Sequence, residues 1–234
     1  MTISRGDAPA VATFPLSPAA LVGLIDHTIL RPDATEAAIG LYCEEAMAHR
    51  FHAVCVNPLH VKFTARQLAG TSVRTCSVIA FPFGTSTSMI KAAEAACALA
   101  DGATEIDMVI DIGALKEGRL AAVQADITEV RKAVATAVLK VIIETALLTR
   151  AEKIAACQIA VAAGADFVKT STGYAGGGAT VADVALIRET VGPKIGVKAS
   201  GGIRRPEEAA AMIAAGANRL GSSASLALIG VNTH

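Results

Sequence analysis

Two lysines and one aspartate stand in apolar runs, where an uncompensated charge is unfavourable. Lys169 ends the run "ADFVK" and precedes the polar turn "TSTG". Lys198 stands in "IGVKAS" (195–200), and Asp107 stands in "EIDMVI" (105–110). Burying an ammonium group or a carboxylate is costly unless the charge is paired. These three residues are therefore the first candidates for a functional site.

Two neighbouring ammonium groups favour one chemistry, the attack of a lysine amine on a carbonyl group. A second ammonium about 4 Å away costs about 4 kcal/mol at an effective dielectric constant of about 20. That cost lowers the pKa of one lysine from about 10.4 toward about 7.5. The free amine can then form a Schiff base, and a nearby aspartate can move the protons. Taken singly, either lysine is better explained as a solvated rim residue or as half of an ion pair.

Eight short apolar runs alternate with longer segments of helical spacing. Runs that are apolar on both faces are typical of strands in a parallel sheet covered by helices. Eight such units without a compositional break predict one α/β domain, a (β/α)8 or TIM barrel. A doubly wound open sheet is the alternative. The predicted strands are 27–30, 53–56, 74–81, 105–110, 140–145, 167–170, 195–200 and 218–222.

Several segments carry explicit helix signals. In 118–135 the apolar residues step by three and four, which predicts one buried stripe. Thr149 and Glu152 match a capping box at a helix start, and Gly164 stands where that helix should end. Pro206, followed by two acidic residues, predicts another helix start.

The composition excludes several other classes of protein. Lys plus Arg (21) equals Asp plus Glu (21) and only 3% of residues are aromatic, which argues against a nucleic-acid binder. No apolar window approaches the ~18 residues of a membrane span. Five scattered cysteines without a CxxC pair predict reduced thiols in a cytoplasmic protein. Residues 1–16 are predicted to form a loose arm, and the barrel, with an extra N-terminal helix, is assigned to 17–234.

Polar residues at the ends of the other predicted strands would share the site. Function in such barrels gathers at the C-terminal ends of the strands. The loops after the seventh and eighth strands are rich in glycine and serine, and their backbone amides would bind a phosphate group. Each glycine pattern alone is a weak signal, because tight turns need glycine anyway. These candidates are Asp26, Thr28, Cys55, Glu144, Gly173, Gly201, Gly202, Gly221, Ser222 and Ser223.

Six motifs, in order over nearly the whole chain after the arm, carry a family resemblance. They are "IDHTILRPDAT" (25–35), "AVCVNP" (53–58), "EIDMVIDIGAL" (105–115), "KVIIET" (140–145), "ADFVKTSTGY" (165–174) and "KASGGIR" (198–204). Together they resemble the motifs of the deoxyribose-phosphate aldolase family, whose members use a lysine Schiff base.

The resemblance implies a class I aldolase on a (β/α)8 barrel, with no metal and no other cofactor. Such an enzyme reversibly cleaves 2-deoxy-D-ribose 5-phosphate to D-glyceraldehyde 3-phosphate and acetaldehyde. It implies that Lys169 is the Schiff-base nucleophile and that Lys198 lowers the pKa of that nucleophile. Asp107 would work with Lys198 as proton donor and acceptor, through a water molecule.

The same resemblance implies a small phosphorylated sugar as the partner, with no nucleic acid and no membrane. It also implies a homodimer or a higher homo-oligomer. Thr172 would hold the water molecule or Lys169. Asp26 and Thr28 would line the pocket near a sugar hydroxyl group.

The chain departs from the family pattern at several positions. Ala80 replaces a usual Gly, Asp111 a usual Asn, Tyr174 a usual Phe, and Ala224 a usual Ser. The C-terminal run "LIGVNTH" lacks the Tyr that many relatives carry in a mobile tail. These departures bear on a tail-assisted proton step and leave the aldol chemistry intact.

Two other functions remain open at this stage. One is a Schiff-base barrel aldolase for a different phosphorylated sugar, and the other is a non-catalytic sugar-phosphate-binding barrel. A zinc-dependent aldolase would need clustered histidines, and His49 with His52 is better explained as a pair at a helix C-terminus. Cys55 is better explained as a buried core residue than as a thiol facing the mouth. Glu144 fits equally well as a residue that orients a lysine and as half of a salt bridge.

Overall fold

Eight parallel strands form a closed barrel in which each strand pairs with the next and the eighth pairs with the first. The computed structural model describes residues 21–135 and 137–231. Closure confirms the predicted (β/α)8 barrel and excludes the open doubly wound sheet. The predicted arm (1–16) lies outside the described residues, and so does the part of the predicted N-terminal helix that precedes Leu21. None of the described helices combines the length and apolar character of a membrane span.

The strands lie where the apolar runs predict them, with ends that differ by one to three residues. The second strand has the predicted bounds, and the sixth, seventh and eighth are each one residue shorter. The strands are β1 (Ile25–Ile29), β2 (Ala53–Val56), β3 (Arg74–Ile79), β4 (Glu105–Val109), β5 (Val138–Ile142), β6 (Phe167–Lys169), β7 (Gly196–Ser200) and β8 (Arg219–Ser222).

Two strands end early because a residue other than glycine turns the backbone into the left-handed region. Ala80 has φ 49° and ends β3 before the predicted residue 81. Its amide donates to Glu94 Oε2 at 2.7 Å. Glu144 has φ 56°, so the predicted strand 140–145 ends at Ile142 and begins earlier, at Val138. Left-handed backbone costs an L-residue about 1–2 kcal/mol, so tertiary contacts must hold both turns.

The helices cover the outside of the barrel between successive strands. Two short 3-10 helices, Pro58–His60 and Thr145–Leu147, follow β2 and β5. The α-helices are α1 (Glu36–His49), α2 (Val61–Gln67), α3 (Ser88–Ala100), α4 (Ile112–Lys116), α5 (Leu120–Val134), α6 (Arg150–Ala162), α7 (Val181–Val191), α8 (Pro206–Ala214) and α9 (Ser225–Leu228).

The local helix signals act as the sequence predicts. Thr149 and Glu152 form the reciprocal capping box of α6, and Gly164 follows the end of that helix. Pro206 is the first residue of α8. The apolar stripe of α5 is buried from Val123 onward, but Leu120, its first residue, is exposed because the helix begins there.

The two faces of the barrel differ in chemistry, which corrects the expectation that most strands are apolar on both faces. Outward-facing residues such as Val54, Ile106 and Val197 pack beneath the helices in one continuous apolar core. Inward-facing positions include a buried cluster of charges as well as a small apolar cluster. We call the charged cluster the charge network; it consists of Asp26, Glu105, Asp107, Lys140, Lys169, Lys198 and Arg219.

We expect Gly196→Ala to destabilise the fold, because Gly196 leaves room for the ring of Phe167 on the neighbouring strand. A Cβ atom at residue 196 would lie 2.1–2.5 Å from three ring carbons of Phe167. Overpacking of this kind costs about 1–3 kcal/mol. Gly23→Ala is the matched control, since a Cβ atom there meets nothing within 4 Å.

Urea unfolding of both variants measures this cost. The free energy of unfolding should fall by about 2 kcal/mol in Gly196→Ala and change by less than about 0.5 kcal/mol in Gly23→Ala. Equal stabilities of the two variants would contradict the packing argument.

Candidate active site

A cavity of about 330 Å³ opens at the C-terminal ends of the strands. We call it the strand-end cavity. Lys169 lies on its wall, and the loops that follow β1, β6, β7 and β8 surround it. The predicted site residues that line it are Thr28, Lys169, Thr172, Gly173, Gly201, Gly202, Gly221, Ser222 and Ser223.

Asp107 lies at the centre of the charge network beneath this cavity. Its Oδ2 atom accepts from Lys169 Nζ at 2.7 Å and from Lys198 Nζ at 2.8 Å. Its Oδ1 atom accepts from Lys140 Nζ at 2.8 Å. The two lysines predicted to be neighbours therefore share one carboxylate oxygen, and the predicted aspartate is their common partner.

The strand register explains this convergence. Lys169 pairs with Lys198 across β6 and β7, and Asp107 pairs with Lys140 across β4 and β5. Alternate residues of a strand point into the barrel, so in-register partners place their side chains side by side. The rigid sheet, rather than the loops, thus sets the positions of the three amines around Asp107.

Lys140 is a member of the network that sequence reasoning did not find. Its side chain is completely buried, and its Nζ atom lies 2.6 Å from Glu105 Oε2 and 2.8 Å from Asp107 Oδ1. The residue stands inside the apolar run "LKVII", which reads as a strand buried on both faces. Lys140 stands two residues before Ile142, the in-register partner of Lys169, so its side chain lies on the inner face of β5, a relation that only the strand register shows.

Asp26 and Arg219 close the network on the other side of the barrel. Asp26 accepts from Lys198, and its Oδ1 atom accepts from Arg219 Nη1 at 3.1 Å. Arg219 also donates to Glu105 Oε2 at 3.2 Å. Asp26 is fully buried and is not among the residues that line the strand-end cavity, and its place near a sugar hydroxyl stays a prediction. Lys198 and Arg219 both donate hydrogen bonds to its carboxylate.

The electrostatics of the network favour the ionised forms of Asp107 and Lys198. Burial raises the pKa of Asp107, but Lys140, Lys169 and Lys198 together hold it well below its ordinary value. Burial lowers the pKa of Lys198, but the carboxylates of Asp107 and Asp26 raise it above its ordinary value. The repulsion between neighbouring ammonium groups is therefore only one influence on the pKa values in this network, because carboxylates lie between the amines.

Thr172 lies in the cavity wall beside Lys169 and is fixed by Glu144. The Thr172 amide donates to Glu144 Oε2 at 3.1 Å, and the Thr172 hydroxyl donates to the same oxygen. Thr172 Oγ1 also accepts from the Tyr174 amide at 3.0 Å. Glu144 therefore neither orients a lysine nor forms a salt bridge in the described part of the chain; it holds the turn after β6.

Cys55 lies beneath the cavity and not on its wall. It is fully buried with Cys76 and Val78 in the small apolar cluster inside the barrel. The preferred interpretation of Cys55 as a buried core residue agrees with this position, and its prediction as a substrate-binding residue does not. Cys76, its in-register partner, lies 3.3 Å from Asp107 Oδ1.

Two turns and two arginines also line the strand-end cavity. The glycine turn (201–204) has φ 89° at Gly201 and 80° at Gly202, and the serine turn (222–225) follows β8. Both turns line the cavity, together with Arg204 and Arg31. Sequence reasoning found the turns but no cation for a phosphate group, because neither arginine stands at a strand end.

Among the described residues, two groups of side chains place possible metal-ligand atoms within 4.8 Å of one another. In both groups a lysine or an arginine of the protein already binds some of these atoms. In the group Cys55, Cys76 and Asp107, the ammonium of Lys140 lies 3.4 Å from Cys76 Sγ and 2.8 Å from Asp107 Oδ1. In the group Asp26, His52 and Glu105, Arg219 donates to both carboxylates. His52 stands outside α1 and contacts Glu105 Oε1 at 2.8 Å, so it forms no helix-face pair with His49.

Comparison with known proteins gives a consistent result over nearly the whole chain. The family model "DeoC/LacD family aldolase" matches residues 21–233. The chain is 58% identical over 214 residues to a deoxyribose-phosphate aldolase of Rhodospirillum rubrum, covering 92% of this chain and 90% of the relative. It is 56% identical over 205 residues to one of Brevibacillus brevis, covering 88% and 93%.

A solved structure agrees with the fold. The tetrameric deoxyribose phosphate aldolase of Aeropyrum pernix superposes with a TM-score of 0.87 at 33% sequence identity. The match covers 92% of this chain and 91% of that one. The barrel of this chain therefore resembles the fold of this solved aldolase over nearly its whole length.

The charge network predicts that the stability of the fold depends on pH in the acid range. Burial raises the pKa of Asp26, Glu105 and Asp107, but the neighbouring cations lower all three below their ordinary values. In the unfolded chain these carboxyls take up protons near pH 4, whereas in the folded chain they stay ionised. The stabilisation is thus present above about pH 4 and is lost as the pH falls below it.

Urea unfolding between pH 7 and pH 3 measures this dependence. Each carboxyl contributes a slope of up to about 1.4 kcal/mol per pH unit below about pH 4. Asp107→Asn should reduce the slope by up to one such contribution. A free energy of unfolding that stays constant down to pH 3 would contradict the proposed ionisation of the network.

Proposed function

We propose, from the premise that this chain belongs to the DeoC/LacD family of aldolases, that it reversibly cleaves 2-deoxy-D-ribose 5-phosphate. The products are D-glyceraldehyde 3-phosphate and acetaldehyde. The single observation that carries the proposal is the position of Lys169. Lys169 lines a cavity that is also lined by the glycine turn and the serine turn, and its Nζ atom lies 2.7 Å from an aspartate that also binds Lys198.

The reaction proceeds through a Schiff base on Lys169. The free amine adds to the C1 aldehyde of the open-chain sugar, and loss of water gives a protonated imine. Removal of the proton from the C3 hydroxyl breaks the C2–C3 bond, whose electron pair moves toward the imine nitrogen. C3 becomes the aldehyde of glyceraldehyde 3-phosphate, and an enamine remains on Lys169. Protonation of that enamine at C2 and addition of water release acetaldehyde and the amine.

Asp107 is the group that moves protons in this sequence. Its Oδ2 atom accepts a hydrogen bond from Lys169 Nζ, so Asp107 is placed to take up the proton that the amine must lose. Lys198 donates to the same oxygen from below and does not line the cavity, so it acts on the reaction through Asp107. Thr172, held by Glu144, lies where it can fix a water molecule beside Lys169.

The phosphate group binds between the glycine turn and the serine turn. Both turns line the end of the cavity that carries Arg204 and Arg31. Backbone amides in turns of this kind and guanidinium groups are the usual donors to phosphate oxygens. A phosphate at this end directs the aldehyde end of the sugar toward Lys169.

We further propose that the protein acts in the cytoplasm as a homodimer. All five cysteines are free thiols, and the proposed substrate is a phosphorylated metabolite. Leu59, Phe83 and Met89 are large exposed apolar residues, and the turn that carries Leu59 contacts α3, which carries Met89. Exposed apolar surface of this kind supports self-association, which sedimentation velocity measures directly.

Borohydride trapping tests the Schiff base. Acetaldehyde followed by borohydride should add an ethyl group, about 28 Da, to Lys169, located by peptide mass mapping. Lys169→Ala should lose both the adduct and turnover. Lys132→Ala is the matched control, since this exposed lysine on α5 forms an ion pair with Glu129 at the surface, and the variant should keep both.

Each outcome separates the remaining functions. A selective adduct without cleavage of deoxyribose 5-phosphate would indicate an aldolase for a different phosphorylated sugar. Absence of a selective adduct at Lys169 would indicate a sugar-phosphate-binding barrel and would overturn the catalytic proposal.

A pair of adjacent arginines tests the phosphate end. Arg204 lines the cavity, whereas Arg205 points to Glu207 and Glu208 at the start of α8. Arg204→Ala should raise the KM for deoxyribose 5-phosphate about tenfold or more, because a charge-assisted hydrogen bond is worth about 1.5–3 kcal/mol. Arg205→Ala should change it less than about twofold. Equal KM values in the two variants would place the phosphate elsewhere.

A further inference from the structure

A polar chain around a buried histidine lies behind the serine turn, outside the barrel and away from Lys169. His27 on β1 is 2% exposed and points outward between α1 and α9. Its Nε2 atom lies 2.7 Å from Glu45 Oε2, and its Nδ1 atom lies 2.9 Å from Oγ of Ser225, the last residue of the serine turn. We call these three residues the His27 relay. The function proposed above assigns no role to His27 or Glu45.

The His27 relay ends on the turns that surround the phosphate end of the cavity. Ser225 Oγ lies 3.0 Å from the carbonyl oxygen of Ser222. Ser222 Oγ in turn donates to the carbonyl oxygen of Ile203 at 2.8 Å and accepts from the Ala224 amide at 3.0 Å. The relay is therefore connected, through Ser222, to both the serine turn and the glycine turn.

Tyr42 supports the same turn from the same side. Its ring stacks on the His27 ring with a centroid distance of 4.1 Å, and its hydroxyl donates to the carbonyl oxygen of Ser223 at 3.3 Å. Tyr42 and Glu45 are three residues apart on α1, so both side chains project from one face of that helix. One face of α1 thus fixes the back of the serine turn through two separate contacts.

The geometry points to His27 as a positioning residue that sets the phosphate end of the strand-end cavity by holding Ser225 and, through it, the serine turn. This inference rests on the proposed function, since it concerns the phosphate group of the same substrate. A phosphate site built from backbone amides has no long side chains that can adjust. Its affinity therefore depends on how rigidly the turn is held from behind.

The hydroxyl of Ser225 sets the direction of the hydrogen bonds in the relay. Ser225 Oγ donates its single hydrogen to the carbonyl oxygen of Ser222, so the hydrogen bond between His27 and Ser225 runs from Nδ1–H to Ser225 Oγ. The Nε2 atom lies against the Glu45 carboxylate. Burial lowers the pKa of His27, although the hydrogen bond with Glu45 opposes that effect.

Two amide substitutions separate the two contacts of His27. The amide of His27→Asn reaches the position of Nδ1 and keeps the contact with Ser225. The amide of His27→Gln reaches the position of Nε2 and keeps the contact with Glu45 only. Both variants remove the ring and its stacking on Tyr42, so they form a matched pair that differs in the contact to the turn.

The measurement is the preference for phosphorylated substrate, the ratio of kcat/KM for 2-deoxy-D-ribose 5-phosphate to that for 2-deoxy-D-ribose. His27→Gln should lower this ratio about tenfold, mainly through a higher KM, as the loss of one buried hydrogen bond does. His27→Asn should recover most of the ratio. Ser225→Ala removes the contact with His27 from the side of the turn, and its ratio should match that of His27→Gln. Ser225→Ala replaces His27→Gln in the test if His27→Gln does not fold.

A parallel fall of both kcat/KM values, with the ratio as in the unsubstituted protein, would overturn the inference and leave His27 a structural residue. The same conclusion follows if His27→Asn and His27→Gln give equal ratios while Ser225→Ala keeps the original ratio. Borohydride trapping of acetaldehyde on Lys169 keeps the two proposals distinct. If the variants form the adduct and keep the full preference for phosphorylated substrate, the proposed Schiff-base chemistry stands and only the role of His27 is refuted.

Discussion

The pairing of buried amines with buried carboxylates inside the barrel is the constraint on which the rest of the structure depends. A charge in this interior is tolerated only if an opposite charge lies within hydrogen-bonding distance. Asp107 meets that requirement for three lysines at once, and Glu105 and Asp26 meet it for Arg219. Because the partners stand on six different strands, the network exists only when the barrel is closed and every strand is in register.

The sheet and the loops position different parts of the proposed site. The sheet fixes Asp107 and the lysines, so the amine of Lys169, the proposed nucleophile, has little positional freedom. The loops after β7 and β8 carry the proposed phosphate-binding amides, and contacts behind these loops, such as Ser222 with Ile203, hold them. The proposed substrate would therefore span from a site set by strand register to a site set by turns.

The sequence predicts the elements well and the network only in part. Apolar runs, the capping box at Thr149 and the strand-end lysines are local signals, and each could be found without knowing what lies opposite. Lys140 and Arg219 could not be found in that way, because their role depends on in-register partners from strands far away in the chain. The partners of Asp26 are hidden from the sequence for the same reason, since only the closed barrel shows that Lys198 and Arg219 both donate to its carboxylate.

The charge network contains one more cation than it has carboxylates. Four cations, Lys140, Lys169, Lys198 and Arg219, face three carboxylates, Asp26, Glu105 and Asp107. Arginine keeps its proton, and the carboxylates that Lys140 and Lys198 contact raise the pKa of both. Of the three lysines, Lys169 is the one that lines the strand-end cavity, where a carbonyl group can reach it, and the proposed mechanism therefore assigns the role of nucleophile to Lys169.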